Sequence, residues 1–289
     1  SSLFINGLNQ GVDFVGGRSY VVRFEQPVSQ EKIQSNLIKV LGNAEVKTFG
    51  SDNQLKITTN YKVDTDSSDV DEEINNILYA DLTEFMSENI SFEEFVVNGD
   101  ENKQAGIMSA IKVGPTIADD IKKNSFYAVF GSLIIVFLYI LLRFKNWQFS
   151  LGAVSAVFHD VLVVLGIFSL TYSFMPFNME INQAFIAAVL TVIGYSLNDT
   201  VVVFDRIREY RNINTSWELP RIVDSALNST LSRTLNTSFT TLVVLVSIFI
   251  FGGESIRGFM FALIVGVLIG TYSSVFVATP VMYDTLKKK

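Results

Sequence analysis

Asp199 is a carboxylate set among aliphatic residues, in the run AVLTVIGYSLNDTVVVF of residues 188–204. An ionisable group at that depth in an apolar helix costs on the order of 3 kcal/mol, so it needs a partner or marks an ion path. Helical spacing puts Tyr195 and Thr191 on the same face, with Asn198 and Thr200 flanking the carboxylate. Arg233 opens a second polar stripe that continues through Asn236, Thr237, Thr240 and Thr241. A third pair, His159 and Asp160, lies midway along another apolar stretch. The chemistry this suggests is a carboxyl that alternately takes up and releases a cation while Arg233 compensates its charge. Burial favours the neutral carboxyl and a nearby guanidinium the charged one, so a small movement between two helices switches its state. The plainer reading is a permanent ion pair that knits the helices, and His159 reads equally as a relay or as a satisfied core side chain.

Other chemistry finds little support. The chain has no Cys and one His, which excludes disulfides, thiolate metal sites and cysteine nucleophiles and argues against zinc. No GxSxG, HExxH or phosphate-loop motif occurs. The run Asp64, Asp66, Asp69, Asp71, Glu72 and Glu73 lacks the glycine and terminal glutamate of a calcium loop, so it reads as a solvated acidic face. We therefore expect no enzyme activity, no bound metal and no cofactor.

The elements that carry these residues follow from hydropathy. Apolar stretches at about 126–142, 149–170, 184–204, 235–251 and 259–282 are long enough to cross the hydrocarbon layer. Residues 1–120 hold 20 acidic and 9 basic residues, whereas residues 121–289 hold 9 and 13. An acidic head, 1–120, thus precedes a membrane domain, 121–289, and the head has no basic cluster for nucleic acid. Arg143, Lys145, Arg206, Arg208, Arg211, Arg221 and Lys287–Lys289 fall on alternate connectors, which sets those connectors in the cytoplasm and the head outside. Within the long cytoplasmic connector, Trp217, Leu219, Ile222, Val223, Ala226 and Leu227 predict a short amphipathic helix over about 216–231. A GxxxG pair, Gly266 and Gly270, predicts close helix packing only. The head reads strand (19–24), helix (30–41), strand (45–50), strand (54–60), helix (70–86), strand (106–113). That βαββαβ order predicts a ferredoxin-like fold.

The run of residues 188–208, AVLTVIGYSLNDTVVVFDRIR, resembles the signature of the SecD/SecF family of the Sec protein-export machinery. GVDFVGG (11–17), VGPTIADDIKKN (113–124), FHDVLVVLGIF (158–168) and LSRTLNTSFTTL (231–242) stand in family order. The resemblance implies a bundle of the resistance-nodulation-division (RND) type in the bacterial inner membrane, with a periplasmic head and cytoplasmic C-terminus. It implies proton or sodium influx coupled to preprotein export, with Asp199 and Arg233 as the ion-coupling residues. The partners implied are SecD, separate or fused, the SecYEG channel, YajC and the unfolded preprotein. The family has six spans against five here, so residues 1–10 are expected to leave a preceding span. Rival readings are an RND-type exporter of small molecules or lipids, whose head would hold an apolar pocket, and a non-transporting scaffold or chaperone on the translocon. Because the chain lacks cysteine, single cysteines report its topology: Ser67→Cys should react with an impermeant maleimide on intact cells and Asn214→Cys only after the membrane is opened. The reverse pattern would invert the orientation.

Overall fold

The computed structural model describes Leu3 and residues 7–65, 67–86, 90–97 and 103–287. Asp66 of the acidic run, Lys288, Lys289 and most of 1–6 lie outside the described residues.

The head opens with a single helical turn, α1 (Val12–Val15), and continues β1 (Gly17–Arg23), α2 (Gln30–Leu41), β2 (Glu45–Phe49), β3 (Ser51–Thr59) and α3 (Ser68–Leu82). A short helix, α4 (Phe92–Val96), and the last strand, β4 (Gly106–Val113), complete it. All neighbouring strands are antiparallel in the order β2-β3-β1-β4, the ferredoxin-like arrangement that the βαββαβ pattern predicts. Ile33 and Leu37 on α2 and Val70, Ile74, Leu78 and Leu82 on α3 repeat every four residues. They bury one stripe of each helix against Val22, Leu55, Ile57 and Ile107 of the sheet. The sequence pattern misses α1 and α4, each too short to show a period. It also runs α3 to Met86, where the chain tightens into a 3-10 turn after Leu82.

Arg18 is buried beneath this sheet, its Nε donating to Asp71 Oδ1 at 2.6 Å and its Nη1 to the Tyr61 carbonyl at 3.1 Å. Lys112 Nζ donates to the other Asp71 oxygen at 2.9 Å. Burial lifts the Asp71 carboxyl, yet the hydrogen bonds from Lys112 and Arg18 prevail and hold it below its ordinary value.

Among the described residues, five helical segments are long and apolar enough to cross a membrane: α5 (Pro115–Phe144), α6 (Trp147–Thr171), α7 (Gln183–Ile213), α8 (Leu219–Phe251) and a composite fifth. The fifth consists of α9 (Glu254–Ser273), a π-helical turn (Ser274–Ala278) and α10 (Thr279–Lys287). Two expectations are corrected. The amphipathic segment expected at 216–231 is not a separate element: α8 begins at Leu219 with Pro220 in its first turn and runs unbroken through Ser232 into the fourth span. No glycine or proline interrupts residues 221–251, so nothing stops the hydrogen-bond ladder. Likewise α5 starts at Pro115, so the boundary drawn at 120 falls inside a helix rather than in a linker.

The two ends of the bundle differ. At one, Arg143 and Arg208 pair with Asp205 at 2.8 and 3.0 Å. At the other sits the head. Asn9 and Gly11 exchange backbone hydrogen bonds with Ile181, Asp13 Oδ2 accepts from the Gln183 amide, and Lys56 of β3 pairs with Glu180. Apolar contacts join them as well: Phe14 of α1 packs into the bundle's core, and Val12 and Val113 pack on Ala118 of α5, while the sheet and its two long helices keep a core of their own.

Gly17, in the GVDFVGG run, sets the entry into β1. Its φ is +131°, and a Cβ there would lie 2.7 Å from the Thr59 carbonyl oxygen, a contact that a side chain cannot relieve. Gly17→Ala should cost the head about 2 kcal/mol, seen as earlier thermal unfolding and faster proteolysis of residues 17–113. Gly114→Ala, where nothing lies within 4 Å, should leave both unchanged.

Candidate functional site

Within the bundle the polar residues fall into two groups. The first centres on Asp160, 1% exposed, on α6. Its Oδ2 accepts from Ser196 Oγ of α7 at 2.6 Å and from Ser273 Oγ of α9 at 2.8 Å. Its Oδ1 lies 3.1 Å from His159 Nδ1. Three helices therefore converge on one carboxylate. Gly266 and Gly270 make this possible: a Cβ at 266 would stand 2.0 Å from Val192 Cγ2, and one at 270 would stand 3.0 Å from Ser196 Cβ. Without side chains at those positions α9 closes on α7, which brings Ser273 and Ser196 to the same oxygen.

The second group centres on Asp199 of α7, 2% exposed. Its Oδ2 has no hydrogen-bond donor among the described residues. Ser238 and Arg233, both on α8, are the groups that face it. Arg233 is exposed on the side of the bundle and makes no ion pair with a described carboxylate, so the pair is coulombic and not a salt bridge. Thr200 and Thr234, buried beside this group on the two packed helices, each carry an unpartnered hydroxyl oxygen. The stripes of α7 and α8 do meet: Tyr195 Oη donates to Thr241 Oγ1 at 3.3 Å. From α9, Thr271 Oγ1 lies 2.5 Å from Ser238 Oγ.

The remaining expected residues take outer positions. Asn198, Asn236 and Thr240 are exposed, and Thr237 is half-buried, with Thr237 and Thr240 turning their hydroxyls back to helix carbonyls. His159 is half-buried against Tyr272, ring centroids 6.3 Å apart. Ser196, Ser238, Thr271 and Ser273 are the site residues that sequence reasoning missed. Ser196 was within reach, standing in the SLND run one turn before Asp199. Ser273 and Thr271 lie in a segment with no charge to draw attention, and only helix packing reveals them.

Among the described residues, no group of three or more His, Cys, Asp or Glu side chains gathers to hold a metal. The arrangement offers two buried carboxylates of opposite character. Asp160 accepts two serine hydroxyls on Oδ2 and has His159 Nδ1 beside Oδ1, whereas Asp199 keeps an oxygen with no donor among the described residues, which is where an incoming proton or cation gains most.

Family models described as the C-terminal region of the protein export membrane protein SecD/SecF and as the SecD/SecF GG motif match residues 95–288 and 1–28. The protein translocase subunit SecF of Rhodothermus marinus is 45% identical over 284 residues, spanning 98% of this chain and 85% of that protein. The Vibrio alginolyticus SecF subunit is 37% identical, spanning 94% and 78%. Among solved structures, SecDF of Thermus thermophilus, a translocon-associated membrane protein, superposes with a TM-score of 0.80 at 29% identity. It covers all of this chain, which spans only 36% of SecDF. SecDF in a super-membrane-facing form gives a TM-score of 0.64.

The Gly266 contact gives a direct test. Gly266→Ala should lower the detergent melting temperature by several degrees, since overpacking of this kind costs about 1–3 kcal/mol. Val192→Ala in the same chain should recover most of the loss. An unaltered melting temperature in Gly266→Ala would mean that α7 and α9 are not in close contact.

Proposed function

The chain belongs to the SecD/SecF family of protein-export membrane proteins, and on that basis we propose that it draws on an ion gradient, through Asp199, to promote export of preproteins. Its role in Sec protein translocation is that of an accessory membrane subunit. The observation that carries the ion-coupling reading is the Asp199 carboxyl: buried, lacking a donor on one oxygen, and faced by a cation that does not neutralise it by contact.

In this reading a proton or sodium ion arrives from the head side along the polar faces of α6, α7 and α8. It neutralises Asp199 and weakens the attraction of that helix for Arg233. The helices then shift, and the head, joined to the bundle through α1 and the contacts of residues 9–13, moves with them. A membrane potential contributes about 2.3 kcal/mol per charge per 100 mV, enough for one ion to bias a two-state head well over tenfold.

The head faces the periplasm and the C-terminus the cytoplasm, as the charge asymmetry of the connectors supports. SecD is the partner bundle, with the SecYEG channel, YajC and the unfolded preprotein as further partners, and the transported ion is the only small species required. The scaffold alternative calls for a locked structural ion pair, and the separation of Asp199 from Arg233 speaks against it. The small-molecule or lipid exporter calls for an apolar pocket in the head. A cavity of about 380 Å³ there is instead polar, lined by Arg23, Glu25, Asn53, Gln54 and Lys103.

The test is export of a translocation intermediate in vesicles carrying this chain with SecD, with and without an imposed gradient. Wild type should respond to the gradient and Asp199→Asn should not, a loss of tenfold or more in the stimulated component. Exchanging proton for sodium gradients names the ion. Equal responses from both proteins would return the site to a structural role.

A further inference from the structure

The two carboxylates are linked by hydroxyls on neighbouring helices and by short stretches of α7 and α9 that close the circuit. Asp199 on α7 faces Ser238 on α8, and Ser238 Oγ lies 2.5 Å from Thr271 Oγ1 on α9. Two residues along α9, Ser273 donates to Asp160 on α6. Asp160 accepts in turn from Ser196, which stands on α7 three residues before Asp199. Four helices take part, and the circuit begins and ends beside the same aspartate.

Each hydroxyl has a single proton, and this restricts the circuit. Thr271 Oγ1 lies 2.8 Å from the Val267 carbonyl and 2.5 Å from Ser238 Oγ, so when its proton goes to the carbonyl the short contact is donated by Ser238. In that arrangement Ser238 turns a lone pair toward Asp199, which suits Asp199 when it carries a proton. With Asp199 charged, Ser238 gains by turning its proton to the carboxylate, and Thr271 can then donate to Ser238. The charge of Asp199 thus sets the direction of the bonds between α8 and α9 at this point.

Such a switch works only if α9 keeps its register against α7, and Asp160 is the group that holds it. Its Oδ2 accepts two serine hydroxyls from two other helices, His159 stands beside its Oδ1, and it is sealed from solvent, which suits a clamp rather than an ion carrier. It grips Ser273 immediately before the π-helical turn of residues 274–278, where Thr279 Oγ1 bonds back to the Ser274 carbonyl at 3.0 Å. A π turn can revert to an α-helical one by shifting a single register, and such turns recur at functional sites.

We infer that Asp160 is a positioning residue for ion coupling: by pinning Ser273 to Ser196 it sets the Thr271–Ser238 contact against Asp199. The inference rests on the ion-coupling reading of Asp199. The titratable or charged groups that face the circuit are His159 on the Asp160 helix, Tyr195 and Asp199 on α7, Arg233 on α8 and Tyr272 on α9.

The experiment is the same vesicle export assay, read as the proton or sodium concentration that gives half of the gradient-stimulated rate. Asp160→Asn and, separately, Ser273→Ala should each move that concentration at least threefold. Ser273→Ala removes one donor and leaves Asp160 with Ser196 and His159, so it decides the matter should Asp160→Asn fail to accumulate. A purely structural role would lower the yield and the maximal rate while leaving the half-point in place, and that result in a folded variant overturns the inference. If Asp199→Asn keeps its full response to the gradient, the ion-coupling reading itself has failed, whatever Asp160 does.

Discussion

The close approach of α7 and α9 governs this membrane domain. Helices surrounded by lipid gain little from hiding apolar side chains from one another, so their association depends on fit and on polar contacts. Gly266 against Val192 and Gly270 against Ser196 provide the fit. Once the backbones are that close, two serines reach one carboxylate, and Thr271 reaches across to α8. A bulkier α9 would separate these groups by more than a hydrogen bond can span.

That packing gives two aspartates on neighbouring helices opposite environments. Asp160 holds two serine hydroxyls on one oxygen and has His159 beside the other. Asp199, as deeply buried, keeps an oxygen without a donor and faces a guanidinium that stays at a distance. A buried acid that is fully satisfied fixes structure, and one that is not responds to what arrives. In the proposed cycle the two tasks are separated in this way, one carboxylate holding the helices while the other changes state.

The head meets the bundle over a small patch. The core of its sheet is closed on itself, while Phe14 and Val12 of α1 pack on the bundle beside an ion pair, Lys56 with Glu180, and hydrogen bonds around Ile181 and Gln183. A small joint between bodies whose main cores are separate permits relative movement at modest cost. The segment of residues 9–13 touches both bodies, running from the loop before α7 into β1, so a shift of that loop reaches the sheet directly.

Much of this could be read from residue order. Long apolar stretches dictate membrane helices because nothing else satisfies the backbone in hydrocarbon. The four-residue spacing of Ile74, Leu78 and Leu82 dictates the buried face of α3, and the isolated charges at Asp160, Asp199 and Arg233 declare themselves by being costly. The alternation in the head was enough for its strand order, since short turns and crossover helices leave few topologies. Helix ends were less legible: the start of α5 at Pro115 and the continuity of α8 depend on where the hydrogen-bond ladder stops, and a change in polarity does not stop it. What tertiary structure alone decided is which hydroxyls gather around which carboxylate. Ser196, Ser238, Thr271 and Ser273 are small polar residues of kinds common in membrane helices, and nothing local distinguishes them from those that merely bond back to their own carbonyls. Their role comes from the crossing of four helices, a long-range arrangement set by two glycines that stand beside Thr271 and Ser273 but far along the chain from Ser196, Ser238 and Asp160.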